Sequence, residues 1–138
     1  MKNLLKSLLL LSLLTFTACS EDSNPTSSEP TLTGTWKLTA ITIHTGSGDL
    51  NLLPEAIGYS MTVVLNEDGT YQATYTDADG QYTETGTWTE AGGKLTITVD
   101  GVPETVEYTL SGNKLTFSTT MDIEGFGTQN VTLEFTKQ

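Results

Sequence analysis

The chain has 138 residues, the length of one domain, and a single cysteine, which excludes an internal disulfide. Its 6 basic residues are all lysine and stand against 17 acidic residues, so the formal net charge is −11. Because nucleic-acid binding needs clustered lysine and arginine, this composition argues against a nucleic-acid partner.

Residues 1–18 are predicted to be a signal peptide. Lys2 and Lys6 give it a positive start, and the apolar run at 8–14 is too short for a helix that spans a bilayer. Residues 16–19, Phe-Thr-Ala-Cys, resemble the lipobox of bacterial lipoproteins. The resemblance implies cleavage before Cys19 and fatty chains such as palmitate on that residue, which would anchor the protein in a membrane. The alternative is an ordinary signal peptide that leaves an unpaired thiol.

Residues 19–31 are predicted to form an acidic, flexible tether. They contain Pro25 and Pro30 and no large apolar side chain, so they cannot form a core. Glu21 and Asp22, close behind the cysteine, resemble the export signal of some outer-membrane lipoproteins. That resemblance implies a lipid-anchored protein of the bacterial outer membrane, exposed at the cell surface. The alternative is a plain solvated spacer.

From residue 32 onward, apolar and polar residues alternate and turn residues recur about every eight to twelve positions, which is typical of a β-sandwich or β-barrel. A change of phase at 40–43 predicts a bulge in the first strand. Short connections predict antiparallel hairpins, and such strands can close into an up-and-down barrel without exposed edges. The pattern predicts eight strands, at 35–44, 59–66, 70–76, 81–89, 94–99, 104–110, 114–120 and 130–137.

The segment at 45–58 interrupts this rhythm, because it is too apolar for a free loop. The simplest interpretation is a short helical segment between strands 1 and 2 that covers one end of the sheet. We expect its apolar side chains to point inward, namely Leu50, Leu52, Leu53 and Ile57.

The sequence Leu-Thr-Gly-Thr-Trp-Lys-Leu at 32–38 resembles the opening of lipocalins and fatty-acid-binding proteins, and the turns at 66–71 and 110–115 resemble those of bacterial lipocalin-like lipoproteins. The resemblance implies an all-β, lipocalin-like barrel over 32–138, with Trp36 closing one end. Lipocalins usually place an arginine against that tryptophan, and fatty-acid-binding proteins hold a carboxylate with buried arginines. This chain has no arginine, so the remaining possibilities are a neutral apolar or aromatic ligand and a filled barrel.

The candidate ligand-binding residues are the aromatic side chains and one methionine of the predicted strands. Aromatic rings supply apolar surface, and tyrosine hydroxyls orient a ligand. The alternative is that these side chains fill the core. The candidates are Trp36, Tyr59, Met61, Tyr71, Tyr75, Tyr82, Trp88, Tyr108 and Phe117.

No catalytic, metal or cofactor site is predicted. His44, the single histidine, has no recognisable nucleophile motif to serve, so it is interpreted as a plain residue at a strand end. The Asp-Ala-Asp-Gly sequence at 77–80 fits a hairpin turn better than a calcium loop. Glu104 and Glu107 are interpreted as part of a solvated strand face.

These patterns favour a non-catalytic binding protein of the cell envelope that holds a small apolar molecule in its barrel. The alternative is a structural or accessory subunit with a filled barrel, which meets another envelope protein through its acidic loops. An enzyme is the third and weakest hypothesis. A cavity lined by the candidate residues favours the first, and a packed interior with an exposed apolar patch favours the second.

Overall fold

The computed structural model describes residues 31–123 and 127–138. The predicted signal peptide, the lipidation site Cys19 and all of the predicted tether except Thr31 lie outside these residues. No helix in the two described ranges is long and apolar enough to cross a membrane.

Within these ranges the chain forms nine strands and one short 3-10 helix, Pro54–Ile57. The strands make one antiparallel sheet in the order β2-β1-β3-β4-β5-β6-β7-β8-β9, and β9 also pairs with β1. The sheet therefore closes, which confirms the predicted eight-stranded barrel and adds β2 to it. The strands are β1 (Gly34–Thr45), β2 (Gly48–Leu52), β3 (Ser60–Leu65), β4 (Thr70–Asp77), β5 (Gly80–Ala91), β6 (Lys94–Val99), β7 (Val102–Ser111), β8 (Lys114–Ile123) and β9 (Gly127–Lys137).

The core of the barrel follows the alternation of the sequence. On β9, the inward residues Val131, Leu133 and Phe135 are buried, whereas the residues between them are partly exposed. On β1 the alternation passes through a β-bulge between Leu38 and Ala40, which confirms the predicted change of phase. Each strand thus presents one apolar face to the interior, as the period of two requires.

The 3-10 helix Pro54–Ile57 confirms the predicted short helical segment between the first two predicted strands. Residues 48–52 before it form a further strand, β2, which the sequence did not predict and which pairs with the edge of β1. Leu50, Leu53 and Ile57 are 40%, 66% and 53% exposed, so the prediction that they point inward is wrong, and Leu52 alone packs against the core. The reason is that β3 pairs with β1 only as far as Lys37, which leaves backbone N–H and C=O groups of β1 without a partner on that edge. The strand β2 pairs with the same edge from Ile41 to Thr45 and satisfies these groups.

We call the end of the barrel with the β3–β4, β5–β6 and β7–β8 turns the closed end, because strand pairing continues around it. Gly34–Lys37 of β1 pair with Thr62–Leu65 of β3 at this end. Tyr108–Ser111 of β7 pair with Lys114–Phe117 of β8. The complete ring of hydrogen bonds holds the strands close together, and large apolar side chains fill the space inside.

The opposite end, which we call the open end, has incomplete pairing. The β5–β6 ladder extends only as far as Thr87 and Thr98, and the β7–β8 ladder only as far as Tyr108 and Phe117. Beyond these points the described strands form three separate groups, namely β2-β1-β9-β8, β3-β4-β5 and β6-β7. The strands of this end can therefore surround a space that their side chains do not fill.

Trp36 lies at the closed end and is fully buried. Its indole Nε1 donates a hydrogen bond of 2.7 Å to the backbone oxygen of Leu32. The Nζ of Lys137 lies 5.3 Å from the centre of the Trp36 ring and donates to the backbone oxygen of Thr31 at 2.9 Å. Lys137 thus places a cation against this tryptophan in a chain that has no arginine. Gly34 has a φ of +130°, a backbone conformation that residues with a side chain rarely adopt, which explains the glycine.

Candidate ligand-binding cavity

A cavity of about 400 Å³ lies inside the barrel toward the open end. This volume is within the range of small-molecule pockets. A void of about 40 Å³, enclosed by side chains such as Leu65, Leu95 and Phe135, lies deeper toward the closed end. The cavity is lined by Tyr59, Met61, Tyr71, Glu84, Ile97, Val99, Val102, Glu104, Val106, Phe117, Thr119, Met121 and Leu133.

Four of the candidate ligand-binding residues line this cavity: Tyr59, Met61, Tyr71 and Phe117. The Tyr59 hydroxyl donates to Sδ of Met61 at 3.8 Å. Phe117 is stacked on Phe135, with ring centres 5.4 Å apart, which fixes its ring at the boundary between the cavity and the packed core. These side chains form a preorganised aromatic wall.

The other five candidates do not line the cavity. Trp36 is part of the packed closed end. Tyr75 and Tyr82 are stacked on each other across β4 and β5, with ring centres 5.4 Å apart, and Tyr82 is 42% exposed. The Trp88 indole donates to the backbone oxygen of Asn66 at 2.9 Å, beside the β3–β4 turn. Tyr108 lies with Trp88 along a shallow depression at the closed end.

Two carboxylates of the cavity wall, Glu84 and Glu104, were not among the candidates. Glu84 is two residues before Gly86 on β5, so both residues lie on the same face of the strand. The alternation of the sequence therefore predicts the direction of the Glu84 side chain. Glu104 shares a strand face with Val106, and in the ladder it is the partner of the inward residue Ile97. Its side chain is exposed, as the sequence-based interpretation expected, and it also borders the cavity.

The hydroxyl of Tyr71 donates a hydrogen bond of 3.1 Å to the Glu84 carboxylate. Burial, and then the charge of Glu84, raise the pKa of Tyr71 well above its usual value. Burial is also the main cause that raises the pKa of Tyr59. Both phenols therefore stay neutral at physiological pH, and Tyr71 remains a donor that holds the Glu84 side chain in place.

A second, larger depression of about 930 Å³ lies outside the barrel, where β7 and β8 separate. Hydroxyl side chains dominate its walls, among them Thr105, Ser118 and Thr120. It is a groove open to solvent, and its lining is more polar than that of the interior cavity. We therefore consider the interior cavity the better candidate site, although its volume is smaller.

His44 lies at the edge of this groove within β1, near its end as predicted, and it has two side-chain partners. Its Nδ1 is 2.9 Å from Asp49 Oδ1, and its Nε2 is 2.8 Å from Thr132 Oγ1. The Thr132 hydroxyl is 3.1 Å from that of Ser118. These four side chains connect β2, β1, β9 and β8 on the outer surface of the barrel, where each is at least partly exposed to solvent. Cross-strand hydrogen bonding between polar side chains explains this network.

The turn at 77–80 has the role that the sequence predicts. Asp77 Oδ1 accepts hydrogen bonds from the backbone N–H groups of Asp79 and Gly80, at 2.8 Å and 3.2 Å. In the part of the chain that the structure describes, no group of three or more metal-ligating side chains is close enough to hold a metal ion. The carboxylate of Asp77 thus stabilises the turn.

Comparison with known proteins agrees with this architecture. A family model for the lipocalin-like domain matches residues 32–117, and no curated protein is significantly similar to the chain. Among solved structures, the chain is similar to a de novo designed fluorescence-activating beta barrel, with 12% sequence identity, a TM-score of 0.40, and coverage of 77% of this chain and 93% of that one. Since the family model matches more than half of the sequence, the chain belongs to the lipocalin-like domain family.

Proposed function

We propose that this protein binds a small molecule in the interior cavity and does so at the bacterial outer membrane, to which a lipidated Cys19 anchors it. The observation that carries the proposal is the cavity of about 400 Å³, which the strands enclose in a barrel whose other end is packed. Side chains such as that of Thr119 are too small to fill this space. The proposed role is binding without catalysis.

The cavity wall has the composition of a binding site for a ligand with an apolar body. Ile97, Val106 and Leu133 supply aliphatic surface, and each square ångström of apolar area that a ligand buries contributes about 25 cal/mol. Met61 and Met121 are flexible and polarisable, so they can adapt to ligands of different shape. The separated strand groups at the open end offer a path of entry.

The membrane anchor is proposed from the sequence. The lipobox resemblance at 16–19 provides the acylated residue, and residues 19–31 provide a linker without a core of its own. Two or three acyl chains give stable attachment where a single chain would give only marginal binding. The barrel would then stand clear of a membrane surface that repels its negative charge.

A second candidate function is an accessory subunit of an envelope complex. The exposed apolar side chains Leu50, Leu53 and Ile57 favour it, since they lie within ten residues of one another, on β2, at the N-cap of the 3-10 helix and at its last residue. Exposed apolar side chains that form a patch are typical of a contact with another protein. This function would not require an occupied cavity.

The test is mass spectrometry of the protein as it is extracted from cells. Under native conditions we expect a non-covalent small-molecule adduct, and under denaturing conditions a chain that begins at Cys19 and carries acyl chains. Thr119→Trp should remove the adduct, because Thr119 lines the cavity on β8 and an indole there would occupy its volume. Thr120→Trp is the matched control, since Thr120 faces the outer groove.

The two measurements contradict different parts of the proposal. An unliganded native mass in the unmodified protein would argue against small-molecule binding, and a co-purifying envelope protein would then support the second candidate. A denatured mass without acyl chains would remove the proposed anchor and leave the binding function standing. Loss of the adduct in both tryptophan variants would show that the ligand is not held in the cavity.

A further inference from the structure

We infer that the ligand of this cavity is an organic cation, an ammonium group attached to an apolar or aromatic body. This inference rests on the proposed function, because it names the chemical class of the ligand for the same cavity. It differs from the neutral ligand expected from the sequence, because that expectation rests on the missing arginines and takes no account of the carboxylates Glu84 and Glu104 at the cavity wall.

Two carboxylates lie at the wall of the cavity. Glu84 on β5 and Glu104 on β7 both line the cavity, on either side of β6 in the sheet. Glu84 is partly buried and is held by the hydroxyl of Tyr71, a residue that is itself buried. Glu104 is more exposed and also borders the outer groove, which places it toward the entrance. A ligand that enters the cavity therefore meets negative charge at the mouth and again at the wall.

Among the described residues, no cation balances the charges of Glu84 and Glu104. Neither Glu84 nor Glu104 forms an ion pair with a described lysine or histidine, and the cavity lining contains neither residue type. The lysines of the barrel are engaged elsewhere: Lys37 with Glu55, Lys94 with Glu107, Lys114 with Glu134, and Lys137 with Thr31 and the Trp36 ring.

The rest of the cavity wall is mainly aromatic and aliphatic. Tyr59, Tyr71 and Phe117 present aromatic rings, whose faces attract cations. Aliphatic side chains such as Val99 and Leu133 complete the wall and suit the hydrocarbon part of an amphipathic molecule. Carboxylates combined with aromatic rings and aliphatic surface match an amine or a quaternary ammonium with an apolar body.

The charge of the ligand follows from the cost of displacing water. A neutral ligand that fills the cavity would remove water from Glu84 without supplying a charge partner, which is unfavourable. An anionic ligand would add repulsion from Glu84 and Glu104 to that cost. A cation compensates the lost hydration through a charge-assisted contact in a medium of reduced dielectric constant. The overall charge of −11 also attracts cations toward the protein.

The test compares three compounds that share a phenylbutyl body and differ in the charge of the head group. They are 4-phenylbutylammonium, 4-phenylbutan-1-ol and 4-phenylbutanoate. Each is titrated by calorimetry into the mature protein purified from cells and embedded in phosphatidylcholine nanodiscs. Titration into empty nanodiscs measures the background. We expect the ammonium to bind at least about tenfold more tightly than the alcohol, and the carboxylate to bind most weakly.

Substitutions at the two carboxylates locate this preference. Glu84→Gln and Glu104→Gln should each weaken ammonium binding, and the double variant should lose most of the preference over the alcohol. Glu107→Gln is the matched control, because it removes the same charge from the outward face of β7, where Glu107 pairs with Lys94. It should leave all three affinities unchanged if the charge inside the cavity is responsible.

The outcomes separate this inference from the proposed function. If the alcohol or the carboxylate binds as tightly as the ammonium, the inference is overturned and the binding function stands. If none of the three binds, both lose their support. If Glu107→Gln weakens ammonium binding as much as Glu84→Gln does, the preference arises from surface charge and the interior site is rejected. The ranking in the unmodified protein decides the matter even if a variant does not fold.

Discussion

The two ends of the barrel are built from the same strands, yet one is packed and the other is hollow. At the closed end Trp36, Leu65, Leu95 and Phe135 are almost completely buried within a continuous ring of paired strands. At the open end Val102 is 70% exposed and the strands separate into three groups. The alternation of apolar and polar residues therefore does not by itself fill a barrel, because it determines only whether a side chain points inward or outward.

The difference has two physical causes. Ladders such as β5–β6 and β7–β8 end before they reach the open end, so the strands there are not held at hydrogen-bonding distance. In addition, the inward positions near that end carry polar residues, among them Glu84, Glu104 and Thr119, which cannot form an apolar core. Stability should therefore be concentrated at the closed end, and the open end should be free to serve binding.

The largest effect is expected when Trp36, the plug of the closed end, is truncated. Trp36→Ala should lower the free energy of unfolding by about 3–5 kcal/mol, because it empties a fully buried site and deletes the hydrogen bond to Leu32. Tyr82→Ala at the open end is the matched aromatic control, and it should cost about 1 kcal/mol, chiefly the stacking on Tyr75. Urea denaturation followed by far-UV circular dichroism measures both. Equal losses would show that stability is spread evenly along the barrel.

A smaller effect is expected at the wall of the cavity. Tyr71→Phe should cost about 1 kcal/mol at neutral pH, since it deletes the hydrogen bond to Glu84 while water in the cavity can solvate the carboxylate. Tyr82→Phe, at an exposed position, is the control and should change stability by no more than a few tenths of a kcal/mol. The same urea titrations provide the measurement. A loss as large as that of Trp36→Ala would mean that the cavity wall is as important for stability as the plug.

The same tyrosine predicts a dependence on alkaline pH. Burial and the charge of Glu84 raise the pKa of Tyr71 above its ordinary value of about 10. As pH rises above about 10, the unfolded chain releases this proton while the folded chain keeps it, so the stability decreases with pH. Tyr71→Phe should make that decrease less steep. Part of it should remain, because burial also raises the pKa of Tyr59 and Tyr108. An unchanged slope would contradict this account of Tyr71.

The fold could be predicted from the sequence because its signals are local. The alternation through Leu95 and Ile97 and the turn chemistry at 66–69 specify hairpins, and hairpins in series specify a closed meander. The strand β2 could not be predicted in this way. Leu52 and Leu53 suggest a buried segment, and only the register of β1 against β3 reveals an edge that a further strand must cover.

The cavity was predictable only in part. Period two places Tyr71 and Phe117 inward, and the same rule applied consistently to β5 and β7 would have identified Glu84 and Glu104. The hollow itself depends on where each ladder stops. Ladder length is set by the twist and tilt of neighbouring strands, and no single residue encodes it. Sequence reasoning therefore found the aromatic wall more readily than the space it encloses.

The smallest loss of stability is expected on substitution of Lys137, the last residue of β9, which lies over Trp36 at the closed end. Lys137→Met keeps the aliphatic stem over Trp36 and removes the cation 5.3 Å from the ring centre and the hydrogen bond to the Thr31 backbone oxygen. The loss should be about 0.5–1 kcal/mol, the range of a cation–π contact at a partly exposed site. Lys94→Met is the control and should cost less, since its ion pair with Glu107 spans 3.5 Å between exposed side chains. If the two variants lose equal free energy of unfolding, the charge of Lys137 does not stabilise the closed end, and the packing of Trp36 accounts for its stability.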